Sequence, residues 1–166
     1  MLYDNPDESE PHLWGHAQEA ALAEAGAFLD RADLVDIARV SCARYLEPLI
    51  ASAFDLPVTQ PYGVACAVAA TEALAASTGE ERFTRLAEDA RAWFHERNRA
   101  GRPVYDRAAG RVHDGIDNGV LNADSGAESN IAAAEALSAE LPLIATAQRR
   151  SLERFLPQGV PVLPPA

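Results

Sequence analysis

The sequence contains no lysine: its 14 basic side chains are all arginines, set against 25 acidic ones, and the formal net charge is -11. Nucleic-acid binding depends on a basic surface that neutralises phosphate groups. Nucleic acid is therefore not an expected partner. Acidity also favours solubility, but it does not by itself name a function.

Cysteine is scarce as well. Cys42 and Cys66 are the only two, and each lies in an alanine-rich helical segment. Thiols in such segments are typical of buried, unreactive core positions, with a disulfide or a reactive pair as the alternative. We therefore assign them no chemistry.

Targeting signals and long apolar runs are absent from the sequence. Residues 1–12 are acidic and contain prolines, without the regions of a signal peptide. No apolar run approaches the roughly 20 residues that a membrane helix needs. We expect a cytoplasmic protein with no membrane partner. Phosphate-loop, zinc and nucleophile-elbow signatures are also missing, which gives no reason to expect a cofactor or a bound metal.

What is present indicates a folded all-α protein, since 48% of the 166 residues are hydrophobic. Helical periodicity predicts helices over residues 13–29, 34–54, 62–77 and 78–98, joined tightly enough to form antiparallel hairpins. The third has Glu72 as its only charge, so we expect burial on nearly all sides. We predict a helical-hairpin domain over residues 13–156, between an acidic arm at 1–12 and a proline-rich tail at 157–166.

Two capping boxes mark predicted helix starts. Thr78 and Glu81 fit the first, and Ser125 and Glu128 fit the second. The second is expected to open a helix with Ile131, Ala134 and Leu137 facing inward, followed by a further helix near Pro142 that extends to Phe155.

An insert between the fourth and fifth helices, from Tyr105 to Asn130, gathers five acidic residues, a histidine and several glycines. Long connections are usually functional or disordered. Its turn signals, Asp114-Gly115 and Asn118-Gly119, favour order. We predict a small β-hairpin and loop structure at residues 103–124.

The order and spacing of four segments resemble the C-terminal half of the six-hairpin glycosidase superfamily. The segments are His12–Ala17, Pro61–Gly63, Thr78–Phe83 and the insert, and the resemblance spans residues 10–141. Its most specific part is Asp114-Gly115-Ile116 followed by Asp124–Ser129. The resemblance implies an (α/α) toroid, with inner and outer helices alternating and a carbohydrate cleft at one end.

The chain departs from that pattern because it supplies three helical hairpins where the family's ring has six. Half a ring leaves apolar helix edges, and exposed apolar patches usually mark interfaces. We expect either a homodimer or a complex with another protein chain to complete the ring, with a repurposed interaction module as the third alternative. A two-fold pair is the simplest arrangement.

The insert supplies the catalytic candidates. Glycoside hydrolysis needs two carboxyl groups, one a proton donor and the other a nucleophile or water activator. The candidates, in order of preference, are Asp124, Asp114, Asp117 and Glu128. Turn and cap positions offer another explanation for Asp114 and Glu128, so Asp124 is the first choice.

Substrate-binding candidates are aromatic or polar residues near predicted helix starts and turns: Trp14, His16, Tyr62, Tyr105, His113 and Asn130. Aromatic rings can stack on sugars, although ordinary packing explains them equally well. Arg97, Arg99 and Arg102 flank the insert, either as solvated helix-end side chains or as contacts for an anionic substrate.

Three functions are consistent with these patterns. The first is a carbohydrate-active or glycan-binding half-toroid, whose ligand is a carbohydrate or another small polar molecule. The second is a non-catalytic helical interaction subunit, and the third is an enzyme resembling a sugar isomerase or epimerase. A resemblance of fold does not by itself carry function.

Overall fold

The computed structural model describes residues 17–140. The chain divides into two compact units, Met1–Ala136 and Leu137–Ala166. In the second unit the described residues form a single turn, with Ser138–Glu140 in a 3-10 helix. The predicted arm, tail and last helix lie outside the described residues, so the boundaries at residues 12 and 156 stay predictions.

Helices dominate the first unit, which confirms the predicted helical class. The longer ones are α1 (Gln18–Phe28), α2 (Ala32–Ser41), α4 (Pro61–Thr78), α5 (Glu81–His95) and α6 (Ala127–Ala136). Among residues 17–140, every helix is too short or too polar to cross a membrane.

The predicted helix over residues 34–54 is interrupted. After α2, the chain widens into a π-helical segment, Cys42–Leu46, and then continues as the short α3, Glu47–Ala51. Pro48 lies at the start of α3. Its ring cannot donate a backbone hydrogen bond and would crowd the carbonyl one turn earlier, so a regular α-helix cannot pass through this position unchanged.

The core is centred on α4, against which α1, α5 and α6 all pack. Val64, Ala67, Ala70 and Leu74 are fully buried, which confirms the expected burial of this helix. Because most of its side chains are small, neighbouring helices approach it closely. Larger side chains come mainly from α5, whose buried rings include Trp93.

The first capping-box prediction is wrong. Thr78 is the last residue of α4, and its hydroxyl donates to the carbonyl of Leu74 at 2.6 Å. That helix ends because Gly79 adopts a left-handed conformation, with φ of 71°. Glu80 caps α5 without a side-chain hydrogen bond.

The predicted inward face of α6 is also wrong. Ile131 is 61% exposed and Ala134 is exposed, whereas the smaller Ala132, Ala133 and Ala136 are buried. The surface of α4 that packs on α6 is alanine-rich. The two helices can therefore pack closely where the side chains of α6 are also small. The same helix lacks a distinct apolar stripe that would have fixed its orientation from sequence.

The insert forms two β-hairpins, where one small β-hairpin with a loop was predicted for residues 103–124. Strands β2 (Tyr105–Asp106) and β3 (Arg111–Val112) make the first, and β4 (Ile116–Asp117) and β5 (Val120–Leu121) make the second. Asn118 and Gly119 both have positive φ, as a tight hairpin turn requires.

A further strand, β1 (Val58–Thr59), pairs with β4 and was not predicted. Gly115 makes this approach possible. Its φ is 130°, and a Cβ there would collide with the carbonyl oxygen of Thr59.

The pairing of β1 with β4 joins the connection before α4 to the insert after α5. Since α4 and α5 are joined by only Gly79 and Glu80, they run antiparallel. The start of α4, the end of α5 and the start of α6 therefore share one end of the helical layer. Connecting loops meet at that end.

Candidate functional site

A cavity of about 410 Å³ opens where α5 ends and the β2–β3 hairpin begins. Its apolar lining includes Pro103 and Leu121, and its polar and charged lining consists of His95, Glu96, Arg102, Tyr105, Asp106, Arg107 and His113. Cavities of this size accommodate small ligands. Two predicted substrate contacts, Tyr105 and His113, thus lie in one cavity.

Backbone hydrogen bonds hold the cavity wall against the end of α5. The N–H of Val104 donates to the carbonyl of Phe94 at 2.9 Å, and the N–H of His113 donates to the carbonyl of Val104 at 3.0 Å. Val104 is fully buried and anchors the strand. These bonds place Tyr105 and His113, eight residues apart in sequence, on the same rim.

The loop between α5 and β2 is folded by Asn98. Its side-chain amide donates to the carbonyls of Trp93 and Arg102, both at 2.8 Å, and its Oδ1 accepts from the N–H of Ala100 at 3.0 Å. One side chain thereby replaces the hydrogen bonds that the ended helix no longer supplies. It also fixes the backbone carbonyl of Arg102, a residue of the cavity lining.

His113, like Tyr105, is half-buried at the rim. Its Nδ1 is shielded from solvent and has no hydrogen-bond partner among the described residues. Buried polar atoms are normally partnered, so this nitrogen retains hydrogen-bonding capacity.

Asp114, the neighbour of His113, has a structural position instead. Its Oδ1 accepts from the N–H of Gly126 at 2.6 Å, and the hydroxyl of Ser129 donates to the same carboxylate. These two bonds, the Gly126 bond foremost, lower its pKa. Because it is held in the ionised form at the start of α6, Asp114 is unsuited to donating a proton.

The second capping-box prediction is therefore also wrong. The carboxylate that accepts from the start of α6 belongs to Asp114, twelve residues before Gly126. Ser125 instead accepts a hydrogen bond from the side chain of Asn130 at 3.0 Å.

Both the oxygen and the nitrogen of the Asn130 side-chain amide form hydrogen bonds within the protein. Its Oδ1 accepts from the N–H of Val112 at 2.9 Å, and its Nδ2 donates to the hydroxyl of Ser125 and to the carbonyl of Gly126 at 2.7 Å. This predicted substrate contact connects β3 to α6. It positions the cavity rim indirectly.

The other catalytic candidates are exposed and lie outside the cavity wall. Asp117 accepts from the side chain of Asn122 at 3.1 Å. The carboxylate of Asp124 contacts no hydrogen-bond or ion-pair partner among the described residues, although its backbone carbonyl accepts from the N–H of Asp114 at 2.9 Å. Glu128 lies in the first turn of α6.

Tyr62 belongs to a different part of the surface. It lies beside Cys66 in a hollow of about 200 Å³, lined by residues of α4 and α6 and by Ala17. The neighbouring Cys66 thiol and burial raise the pKa of Tyr62. The structure therefore does not bring Tyr62 and Tyr105 into one site. Trp14 and His16 lie outside the described residues.

Both cysteines are buried and free, which confirms their predicted core positions. Burial, followed by the charges of Glu47 and Glu19, raises the pKa of Cys42 to about 12. Burial also raises the pKa of Cys66. These thiols stay protonated near neutral pH, so they are poor nucleophiles.

The sequence did not predict four residues of the cavity lining: His95, Glu96, Asp106 and Arg107. His95 ends α5 and Glu96 follows it, inside a segment that periodicity assigned to a continuing helix. No local signal marks them, because the reversal after α5 brings them to the hairpin. Within residues 17–140, no three metal-binding side chains lie close enough to hold an ion.

Comparison with protein-family models gives no match, and comparison with curated proteins gives none either.

Proposed function

We propose that this chain is the carbohydrate-binding half of an (α/α) toroid and that its ligand occupies the cavity beside Tyr105 and His113. The observation that carries the proposal is the position of this cavity, at the end of the helical layer where the loops meet. Helix packing supports the toroid. α1, α4 and α6 pack in series, while α2 packs mainly on α1 and α5 mainly on α4.

The cavity offers the two kinds of contact that sugars need. The ring of Tyr105 presents an apolar face for stacking against a pyranose. Around it, the imidazole of His113 and the carboxylate of Glu96 can exchange hydrogen bonds with hydroxyl groups. Pro103 and Leu121 add two apolar side chains to a lining that is otherwise polar or charged.

Glycan-array screening of the full chain, followed by calorimetric titration of the best ligand, tests this proposal. Tyr105→Leu keeps bulk but removes the aromatic face, so we expect a loss of about 1 kcal/mol, or roughly fivefold in Kd. The matched control is Tyr62→Leu, which alters a tyrosine outside the cavity and should leave Kd unchanged. Absence of glycan binding by the folded wild-type chain would contradict the proposal.

Catalysis at this site is tested with the same ligand. The Asp124 carboxylate is exposed and lies outside the cavity wall, so it can act only on a glycan that extends beyond the cavity. If such a glycan is hydrolysed, Asp124→Asn should abolish turnover while leaving the protein folded, because the carboxylate has no described partner. Retained turnover in this variant would remove Asp124 from the mechanism and leave Asp117 and Glu128 as the exposed candidates.

Exposed apolar residues on the α1–α2 hairpin favour a second function, that of a helical interaction subunit. Phe28 is 89% exposed, and Leu29, Ile37 and Val40 are also exposed. Such residues together are typical of interfaces. An interaction subunit would bind no glycan and would lose its protein complex when Ile37 and Val40 are replaced by glutamate.

A further inference from the structure

The arginines of the described chain fall into two groups according to their partners. Eight of the eleven have a carboxylate nearby: Arg97 contacts Asp89 at 2.5 Å and Arg99 contacts Asp55 at 3.2 Å. Ion pairs also involve Arg31, Arg39, Arg82, Arg85, Arg91 and Arg111. Arg44 lies over the ring of Tyr45.

Arg102 and Arg107 are the exceptions among residues 17–140, since their guanidinium groups contact neither a carboxylate nor a ring. Both are exposed, and both line the same cavity. In a chain with a net charge of -11, acidic partners are abundant. Two unpaired guanidinium groups at one cavity therefore form a small, positively charged patch.

The two acidic residues of the cavity lining, Asp106 and Glu96, differ in how far they can neutralise Arg102 and Arg107. Asp106 is committed to the β2–β3 turn, where its Oδ1 accepts from the N–H groups of Ala108 at 3.1 Å and Ala109 at 3.0 Å. Its other oxygen lies 3.9 Å from Nε of Arg111. Glu96 is the remaining carboxylate, so two free cations face one free anion.

We infer that the cavity selects an anionic sugar, with Arg102 and Arg107 contacting a carboxylate or phosphate group while Tyr105 stacks on the ring. The inference rests on the proposed carbohydrate function and names its substrate class. Guanidinium groups suit this task because their planar donors match the oxygens of both anions. Glu96 is then left to accept hydrogen bonds from sugar hydroxyls.

Three probes of matched ring structure separate charge from sugar recognition: glucose, glucuronate and glucose 6-phosphate. Each is titrated into the full chain, and binding is followed by the NMR shifts of His95 and His113. We expect at least one anionic probe to bind about tenfold more tightly than glucose, equivalent to one charged hydrogen bond. Added salt should weaken only the anionic probes.

The double variant Arg102→Gln, Arg107→Gln should remove this preference without abolishing glucose binding. A control of equal charge change is Arg44→Gln, Arg85→Gln, because these exposed arginines lie outside the cavity. The control should keep the preference for the anionic probe. Loss of preference in the control as well would assign the effect to overall charge and overturn the inference.

The outcomes distinguish the two proposals. Preference for glucuronate or for glucose 6-phosphate identifies the carboxylate or phosphate class, and either result supports the inference. Equal affinity for all three probes overturns the anionic preference but preserves carbohydrate binding. Shifts caused equally by inorganic phosphate and glucose 6-phosphate, without shifts for glucose, would show anion binding alone and contradict both proposals.

Discussion

At the scale of single residues, Asp114 shows how a motif that resembles a catalytic one can be structural. The sequence places it beside His113 in an acid-rich insert, as expected of a catalytic carboxylate. In the fold it accepts hydrogen bonds from Gly126 and Ser129. Its charge therefore stabilises the start of α6.

Replacing Asp114 with alanine should lower the free energy of unfolding by about 1 kcal/mol at neutral pH, as for other helix-capping side chains. The folded protein lowers the pKa of Asp114. Its stabilisation is thus present above the unfolded pKa of about 3.9 and is lost as pH falls through the lower folded pKa. Urea unfolding of wild type and variant should therefore differ at pH 7 and converge in strong acid.

Asp124→Ala is the matched control, because that carboxylate has no described partner and the same substitution should leave the unfolding free energy within about 0.5 kcal/mol. Equal stability of wild type and Asp114→Ala at pH 7 would contradict the assigned role.

The cap formed by Asp114 could not be predicted from sequence because it connects residues twelve positions apart. A capping box is a local pattern, and Ser125 satisfied it locally. The tyrosine and histidine of the cavity, by contrast, were identified correctly as neighbours of a turn. Both lie at the β2–β3 hairpin, within the hairpin and loop structure predicted for residues 103–124.

At the scale of elements, turn chemistry proved more informative than hydrophobic periodicity. Asn118-Gly119 predicts a turn because few other residue pairs adopt its positive φ angles. Which side of α6 faces the core was not predictable, because alanines are spread around the helix and mark no preferred side. Strand β1 is two residues long, too short for any period.

Asn130 connects two of these elements, so Asn130→Ala should loosen the β2–β3 hairpin from α6. The N–H of Val112 would lose its acceptor, and a buried donor left unpaired costs about 1–3 kcal/mol. Hydrogen exchange of the Val112 amide should accelerate more than exchange within α4. Asn122→Ala serves as the comparison because its bond to Asp117 is exposed. Unchanged exchange at Val112 would refute the connection.

At the scale of the whole molecule, the proposed half-toroid requires a second set of helices. Apolar side chains remain on the outer helix surfaces, with Phe28 89% and Ile131 61% exposed. Burying a large apolar side chain contributes about 1.5–3 kcal/mol, which favours association through such positions. Closed two-fold dimers are the commonest soluble assemblies, so a second copy is the simplest occupant.

Light scattering should therefore give a solution mass of twice the 17.7 kDa chain. Phe28→Glu places a charge on this apolar surface, and the loss of about 1.5–3 kcal/mol should weaken association roughly 10- to 150-fold. Val120→Glu is the control, since Val120 is 68% exposed on a hairpin strand outside the helices. It should leave the mass unchanged. A wild-type chain that remains a monomer would contradict ring closure. If that monomer still binds glycan, the cavity, whose lining comes from residues 95–121 of one chain, functions without a partner.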